Sequence, residues 1–291
     1  MDKPIPRAYA AIVFVNIVWG LSFIASKYAL DSGFAPFTLA LIRFIMAVMV
    51  LLPITLIREG NPRFSRYEWW MILLSALLGT TLYFLFEYIG LQYTTASNAS
   101  LILAVVPILT LIVGVRKHRK YPNSCWVGVI ISLVGVYLVV RFGGSESGKN
   151  PLLGNLLLLG ASICWVFYIE ITSRLVRYHN SLSVTCFQNV LGMLTLIPLA
   201  MTERTDFSAI PMSGYMCALF LGLICSALCY ILYAYALKHL KQLRTALFIN
   251  LNPLSAVIGG VVMLNERLTA TQLFGGVMIL VSIFYVSQSN E

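Results

Sequence analysis

Apolar residues gather in ten long blocks, at about 8–30, 37–57, 69–92, 97–115, 125–142, 152–173, 183–201, 213–237, 245–264 and 271–288. Each approaches the ~20 residues a helix needs to cross the hydrocarbon core. The runs are unbroken and lack the alternation of a membrane strand. Only helices or closed barrels satisfy the backbone in lipid, so the pattern predicts an all-α integral membrane protein. The blocks also repeat. At a spacing of 146 residues Trp19 falls on Trp165, Leu91 on Leu237, Leu101 on Leu247, Pro107 on Pro253, Ile112 on Ile258 and Gly114 on Gly260. Late in each copy the spacing slips by one, and Gly128 matches Gly275. With five blocks per copy, an odd number, the second copy must enter the bilayer from the opposite side. Inverted repeats of this kind characterise transporters. The expected organisation is ten transmembrane helices: a first five-helix repeat over 1–142, a linker over 143–151, and a second, inverted repeat over 152–291, around a central cavity.

The polar positions orient this arrangement. Fourteen of the 20 Lys and Arg residues fall in one set of ends and loops, around Lys3 and Arg7, 58–66, 116–120, 174–177 and 238–244. Four (Arg141, Lys149, Arg204, Arg267) fall in the other set, and Lys27 and Arg43 lie in or near the membrane. The positive-inside rule places both termini in the cytoplasm and the protein in a cell membrane, plasma or inner. The first block is long enough to span and has no convincing cleavage site, so it is read as helix 1 and not as a signal peptide.

Composition agrees. The 291 residues are 59% hydrophobic and 11% charged, with mean hydropathy +0.85, more apolar surface than one soluble core can bury. The net charge of +9 is explained by the loops and does not call for a nucleic-acid partner. Six cysteines lie in or at the ends of apolar blocks without metal-ligand spacing, and His118, His179 and His239 lie in basic loops. They are read as helix-packing thiols and surface histidines; no metal or cofactor is expected. With no ATP-binding motif, transport would draw on a gradient.

Polar groups at membrane depth carry the candidate chemistry. Ala76, Thr80, Tyr83 and Glu87 recur at helical spacing, and the repeat maps them onto Gly222, Ser226, Cys229 and Tyr233. Such matched faces either line a cavity or let helices approach closely. Arg43 and Glu87 lie at similar depth, where a lone charge is costly. They form either an intramembrane ion pair or a coupling site at which Glu87 takes up a proton. Glu170 precedes Arg174 by four residues and Lys27 sits at a helix end, so local pairing and snorkelling account for both. Pro107 and Pro253, near the middle of matched blocks, free backbone carbonyls and are candidate hinges, with Asn250 and Asn252 beside the second. Trp19 and Trp165 lie half a membrane from either end, placed to stack on a solute, close a gate or fill the core.

These residues resemble the drug/metabolite transporter superfamily, specifically its ten-helix EamA-type members. The resemblance spans about 8–288 and is most specific at Trp19-Gly-Leu-Ser-Phe23 with Lys27, and at Thr245 through Asn252-Pro253 to Glu266-Arg267-Leu268-Thr269, Gln272 and Gly275. Asn265 replaces the usual glycine before Glu266, and Lys120 stands where the first repeat would carry that glutamate. The resemblance implies a basket whose cavity is lined by helices 1, 3, 4, 6, 8 and 9. It makes Trp19, Tyr83, Glu87, Asn98, Ser100, Trp165, Tyr230, Asn250 and Asn252 candidate substrate-binding residues. Small multidrug members of the superfamily carry a proton-coupling glutamate in helix 1; this chain has none there.

The expected function is a secondary transporter, an exporter by resemblance, moving small organic metabolites such as amino acids or related amphiphilic compounds by alternating access. Its partners are the small-molecule substrate, the lipid bilayer and protons, with no nucleic acid, and the protein is a monomer or homodimer. The alternatives are a membrane-embedded enzyme acting on lipid or peptide, and a passive channel or uniporter. An enzyme needs paired aspartates, HExxH or a Ser/His dyad at membrane depth, and no such set is found.

Overall fold

The structure is a computed structural model that describes residues 4–60, 62–94, 96–141, 150–255 and 270–288. Residues 143–149 of the 143–151 linker, Lys3 and the Glu266–Arg267 loop lie outside the described residues. Helix accounts for nearly all of what is described, and no strand occurs among the described residues. Six helices are long and apolar enough to cross a membrane. They are α1 (Pro4–Asp31), α2 (Pro36–Glu59), α3 (Arg66–Tyr93), α7 (Pro151–Tyr178), α8 (Ser181–Ala200) and α9 (Met212–His239). The others are shorter: α4 (Ala96–Leu103), α5 (Val106–Arg116), α6 (Asn123–Arg141), α10 (Gln242–Leu247) and α11 (Ala270–Gln288).

Two of the ten apolar blocks are not single helices. The block at 97–115 breaks at Ala104–Val105, and α5 restarts with Pro107 in its first turn. The block at 245–264 passes from α10 through a 3₁₀ turn at Phe248–Asn250 into a helical stretch at 251–255, with Pro253 near its start. Proline lacks the N–H that a helix interior needs but is preorganised for a first turn, so each restart is placed by its proline.

The two candidate spans α3 and α9 are continuous but irregular. Each contains a π-helical stretch, Leu77–Leu82 in α3 and Phe220–Leu228 in α9. A π insertion adds one residue to the turn and rotates the residues beyond it by about 100°. This corrects the single face expected from Ala76 to Glu87. Thr80 instead packs on Gly192 of α8, where an added Cβ would come within 2.6 Å of it, while Tyr83 and Glu87 turn inward.

Helix α2 lies against α8 and α9, α3 against α7, α1 against α9, and α6 along α11. Small residues set the closest approaches. A Cβ on Gly20 would stand 2.5 Å from the Asn252 carbonyl oxygen, so only glycine lets α1 meet the 251–255 stretch there. The start of α2 has no local capping side chain, Ala35 being its N-cap. Glu203 supplies the acceptor from across the molecule, taking the Phe37 and Thr38 N–H groups at 3.1 and 2.8 Å.

Candidate functional site

Between α1, α2, α3, α7, α9 and the broken segments lies a small cavity of about 30 Å³, room for little more than one water molecule. Trp19, Tyr83, Glu87, Trp165, Tyr230 and Asn252 of the expected binding residues line it, together with Arg43, Ser22, Phe23, Phe84, Leu103 and Ile249. Two expected residues do not. Asn250 turns away and donates to the Ser132 hydroxyl of α6 at 2.6 Å. Ser100 is buried on α4 outside the cavity wall. The Asn98 side chain lies outside the described residues.

Trp19 and Trp165, 146 residues apart, meet edge to face with ring centroids 5.2 Å apart. Tyr230 packs on both at 5.7 and 6.0 Å, Tyr233 on both at 5.1 and 5.5 Å, and Tyr83 on Trp165 at 5.0 Å. Such contacts add about 0.5–1.5 kcal/mol per pair beyond area burial. The rings touch one another, so a solute of any size has to part them. Tyr168 stacks under Trp165 at 4.7 Å and, with Tyr233, extends the ring layer toward the end that carries the basic loops.

The π segments tie this layer to the backbone. A π turn leaves a carbonyl poorly served within its own helix. In α3 the Gly79 carbonyl accepts from the Tyr230 hydroxyl at 3.1 Å; in α9 the Cys225 carbonyl accepts from the Trp19 indole N–H at 3.2 Å. Gly79 and Cys225 are themselves 146 residues apart. Each π segment thus anchors an aromatic of the cavity wall.

Arg43 is buried, 3% exposed. Its Nε donates to the Ser226 hydroxyl at 2.7 Å and its Nη1 to the Tyr88 hydroxyl at 2.5 Å, and its guanidinium lies 4.3 Å from the Phe84 ring centroid. These are neutral partners. No ion pair joins Arg43 to Glu87 within 4.0 Å among the described residues. Of the two alternatives, the direct ion pair is not formed, and both groups line one cavity. The Tyr83 hydroxyl faces the Glu87 carboxyl one turn away. Tyr88, Phe84 and Ser226 were not singled out for this role. The cost of burying Arg43 was the available signal, because a buried guanidinium requires acceptors and a π-face nearby.

Other polar groups are structural. Lys27 donates to the Leu91 carbonyl at 2.9 Å and pairs with Asp31 at 3.4 Å, as its helix-end position predicts. Glu170 pairs with Arg174 at 2.7 Å as expected, and also with Lys117 and Arg119, each at 2.9 Å. The six cysteines are free thiols, five of them buried among helices. His179 meets Glu68 at 2.7 Å beside the Phe64 ring.

The EamA-like transporter family model matches this chain twice, over residues 6–141 and 152–288. An uncharacterized transporter of Archaeoglobus fulgidus is 27% identical over 287 residues, covering 98% of this chain and 99% of that protein. The uncharacterized transporter YyaM of Bacillus subtilis is 25% identical, covering 96% of this chain and 93% of its own length. The WAT1-related protein At5g13670 of Arabidopsis thaliana is 25% identical, with 96% of this chain and 84% of that one covered. A solved crystal structure superimposes with a TM-score of 0.74 over 96% of both chains at 16% identity, a likeness of fold. The chain belongs to the EamA-like transporter family and is a multi-pass membrane protein.

Proposed function

We propose that this protein is a secondary transporter of small zwitterionic metabolites, amino acids foremost, built as ten spans in two inverted five-helix repeats over 1–142 and 152–291. The observation that carries the reading is the pair of opposite charges, Arg43 and Glu87, facing one aromatic-walled cavity without pairing to each other. A carboxylate satisfies the guanidinium, an ammonium group satisfies Glu87, and the rings of Trp19, Trp165 and Tyr230 cover an apolar remainder. Asn252 adds an amide whose carbonyl oxygen has no partner among the described residues.

The ring layer through Tyr168 and Tyr233 closes the site toward the basic end, which the positive-inside rule places in the cytoplasm with both termini. Parting that layer while the opposite end closes is alternating access, with the restarts at Pro107 and Pro253 as hinges. Glu87 is the group through which a proton gradient would act, releasing the ammonium group when it takes up a proton. The net direction is export, with the cell membrane as the location. Neither a catalytic set nor a cofactor is needed for this function.

The test is flux in proteoliposomes holding the purified protein, with labelled amino acids and an imposed pH gradient. Saturable, gradient-driven accumulation is expected, lost in Glu87→Gln while substrate counterflow persists at lowered substrate affinity. Saturable amino-acid flux with equal gradient response in Glu87→Gln would remove the coupling role; absence of flux for every amino acid would overturn the substrate class.

A further inference from the structure

A second recess lies at the basic end, remote from the aromatic cavity. It is an open recess of about 500 Å³ between the 119–121 turn, the last turns of α7 and α9, and the start of α10. Arg119, Lys120, Arg177, Lys238 and Lys241 line it, and among the described residues no carboxylate does. The adjacent acid, Glu170, is fully engaged: its side chain is 6% exposed and holds Lys117, Arg119 and Arg174. Among the described residues no acid pairs with Lys120, Arg177 or Lys241.

Arg119 is the fixed member of the set. Glu170 accepts from its Nη2 at 2.9 Å, and Gln242 accepts from its Nη1 and donates in turn to the Ser173 hydroxyl. Burial opposes its charge, and Glu170 and Tyr121 outweigh that cost, so its pKa stands above the ordinary guanidinium value. Lys120 shares its turn, and the other cations approach from three further chain segments as exposed side chains, Lys238 donating to the His179 carbonyl at 3.2 Å. Topology alone requires positive charge at this end, but not its concentration around a recess.

We propose that this recess binds a phosphate-bearing anion. A planar carboxylate is satisfied by a single guanidinium fork, whereas cations converging from four chain segments suit a tetrahedral group with several acceptor oxygens. Basic pockets between helix ends at the cytoplasmic face hold phosphorylated headgroups by the same chemistry. The group is carried either by an anionic phospholipid or by a soluble phosphate ester. Because Arg119 faces both the recess and Glu170, an anion bound there competes for the guanidinium that ties the end of α5 to α7 and α10.

The experiment uses the full chain in two settings at constant ionic strength. In neutral detergent, inorganic phosphate is titrated against chloride and thermal unfolding is followed. In nanodiscs, phosphatidylglycerol is compared with phosphatidylcholine by the same readout. Saturable stabilisation by inorganic phosphate identifies a soluble phosphate as sufficient; stabilisation by phosphatidylglycerol alone identifies the headgroup. Both support the site. Lys120 and Lys241 are exposed, so Lys120→Gln with Lys241→Gln leaves the fold intact and should weaken binding about thirtyfold. Arg58→Gln with Arg63→Gln removes two exposed cations of the same end outside the recess and should leave binding unchanged. Equal losses from both pairs, or no saturable effect in either setting, would overturn the proposal.

Discussion

Arg43 and Glu170 are both charged groups buried within long helices, about 10 Å and 12 Å from a helix end. Their surroundings differ in kind. Glu170 is over-supplied, with three cations on one carboxylate. Arg43 has two hydroxyls and a ring face, and Glu87 lines the same cavity without forming an ion pair to it. A charge whose partners are all protein groups is finished as a structural element. A charge held by neutral groups at the edge of a cavity still lacks its counter-ion, and a solute can supply it. The difference teaches where to look for transport and where to look for stability.

The sharpest break in that comparison is Arg43→Met. It removes the cation without stranding a paired acid, since Ser226 and Tyr88 are neutral. Flux should fall about tenfold to a hundredfold, the worth of one charged hydrogen-bonding group, while thermal unfolding in detergent shifts little. A Tm loss as large as the flux loss would return Arg43 to the structural class. Gly20→Ala tests the wall itself. The added Cβ must displace the Asn252 backbone, and overpacking of this kind costs about 1–3 kcal/mol, read as a lowered unfolding midpoint. Glu170→Gln is the converse of Arg43→Met. Its three partners are 33–48% exposed and turn to water when released, so the loss should be about 1–2 kcal/mol, below that of a fully buried pair. Unfolding should register it while substrate affinity at the aromatic cavity stays unchanged.

Much of this was legible in the chain because membrane residence leaves few choices. Apolar block length sets the spans, and the fate of each charge is limited to pairing, snorkelling or lining a cavity. Lys27 and the Glu170–Arg174 pair followed from position alone. The contact between Trp19 and Trp165 was foreshadowed by their matched depth. What escaped was set by backbone irregularity. The π segments carry no composition signal, so the face drawn through Ala76, Thr80, Tyr83 and Glu87 assumed a regular helix and placed Thr80 wrongly. Asn250 was read with Asn252 because both flank Pro253, yet the 3₁₀ turn sends Asn250 to Ser132. Lys117 and Arg119 lie about fifty residues from Glu170, and nothing local announces their convergence.

The smallest effect asks whether the two π segments are equivalent. Tyr230→Phe strips only the hydroxyl from the Gly79 carbonyl, and Trp19→Phe strips the indole N–H from the Cys225 carbonyl along with part of a ring. A buried carbonyl left without its donor costs about 1 kcal/mol, so Tyr230→Phe should lower stability by that amount and Trp19→Phe by somewhat more for its lost area. The two rings are 5.7 Å apart, which makes the double variant informative. Residues in contact couple, and the double loss should differ from the sum by about 0.5 kcal/mol or more. Strict additivity would mean that each π segment holds its aromatic independently, and the wall would then be two separate halves. Coupling would mean that loosening one carbonyl loosens the ring layer as a whole, as a layer that parts to admit a solute requires.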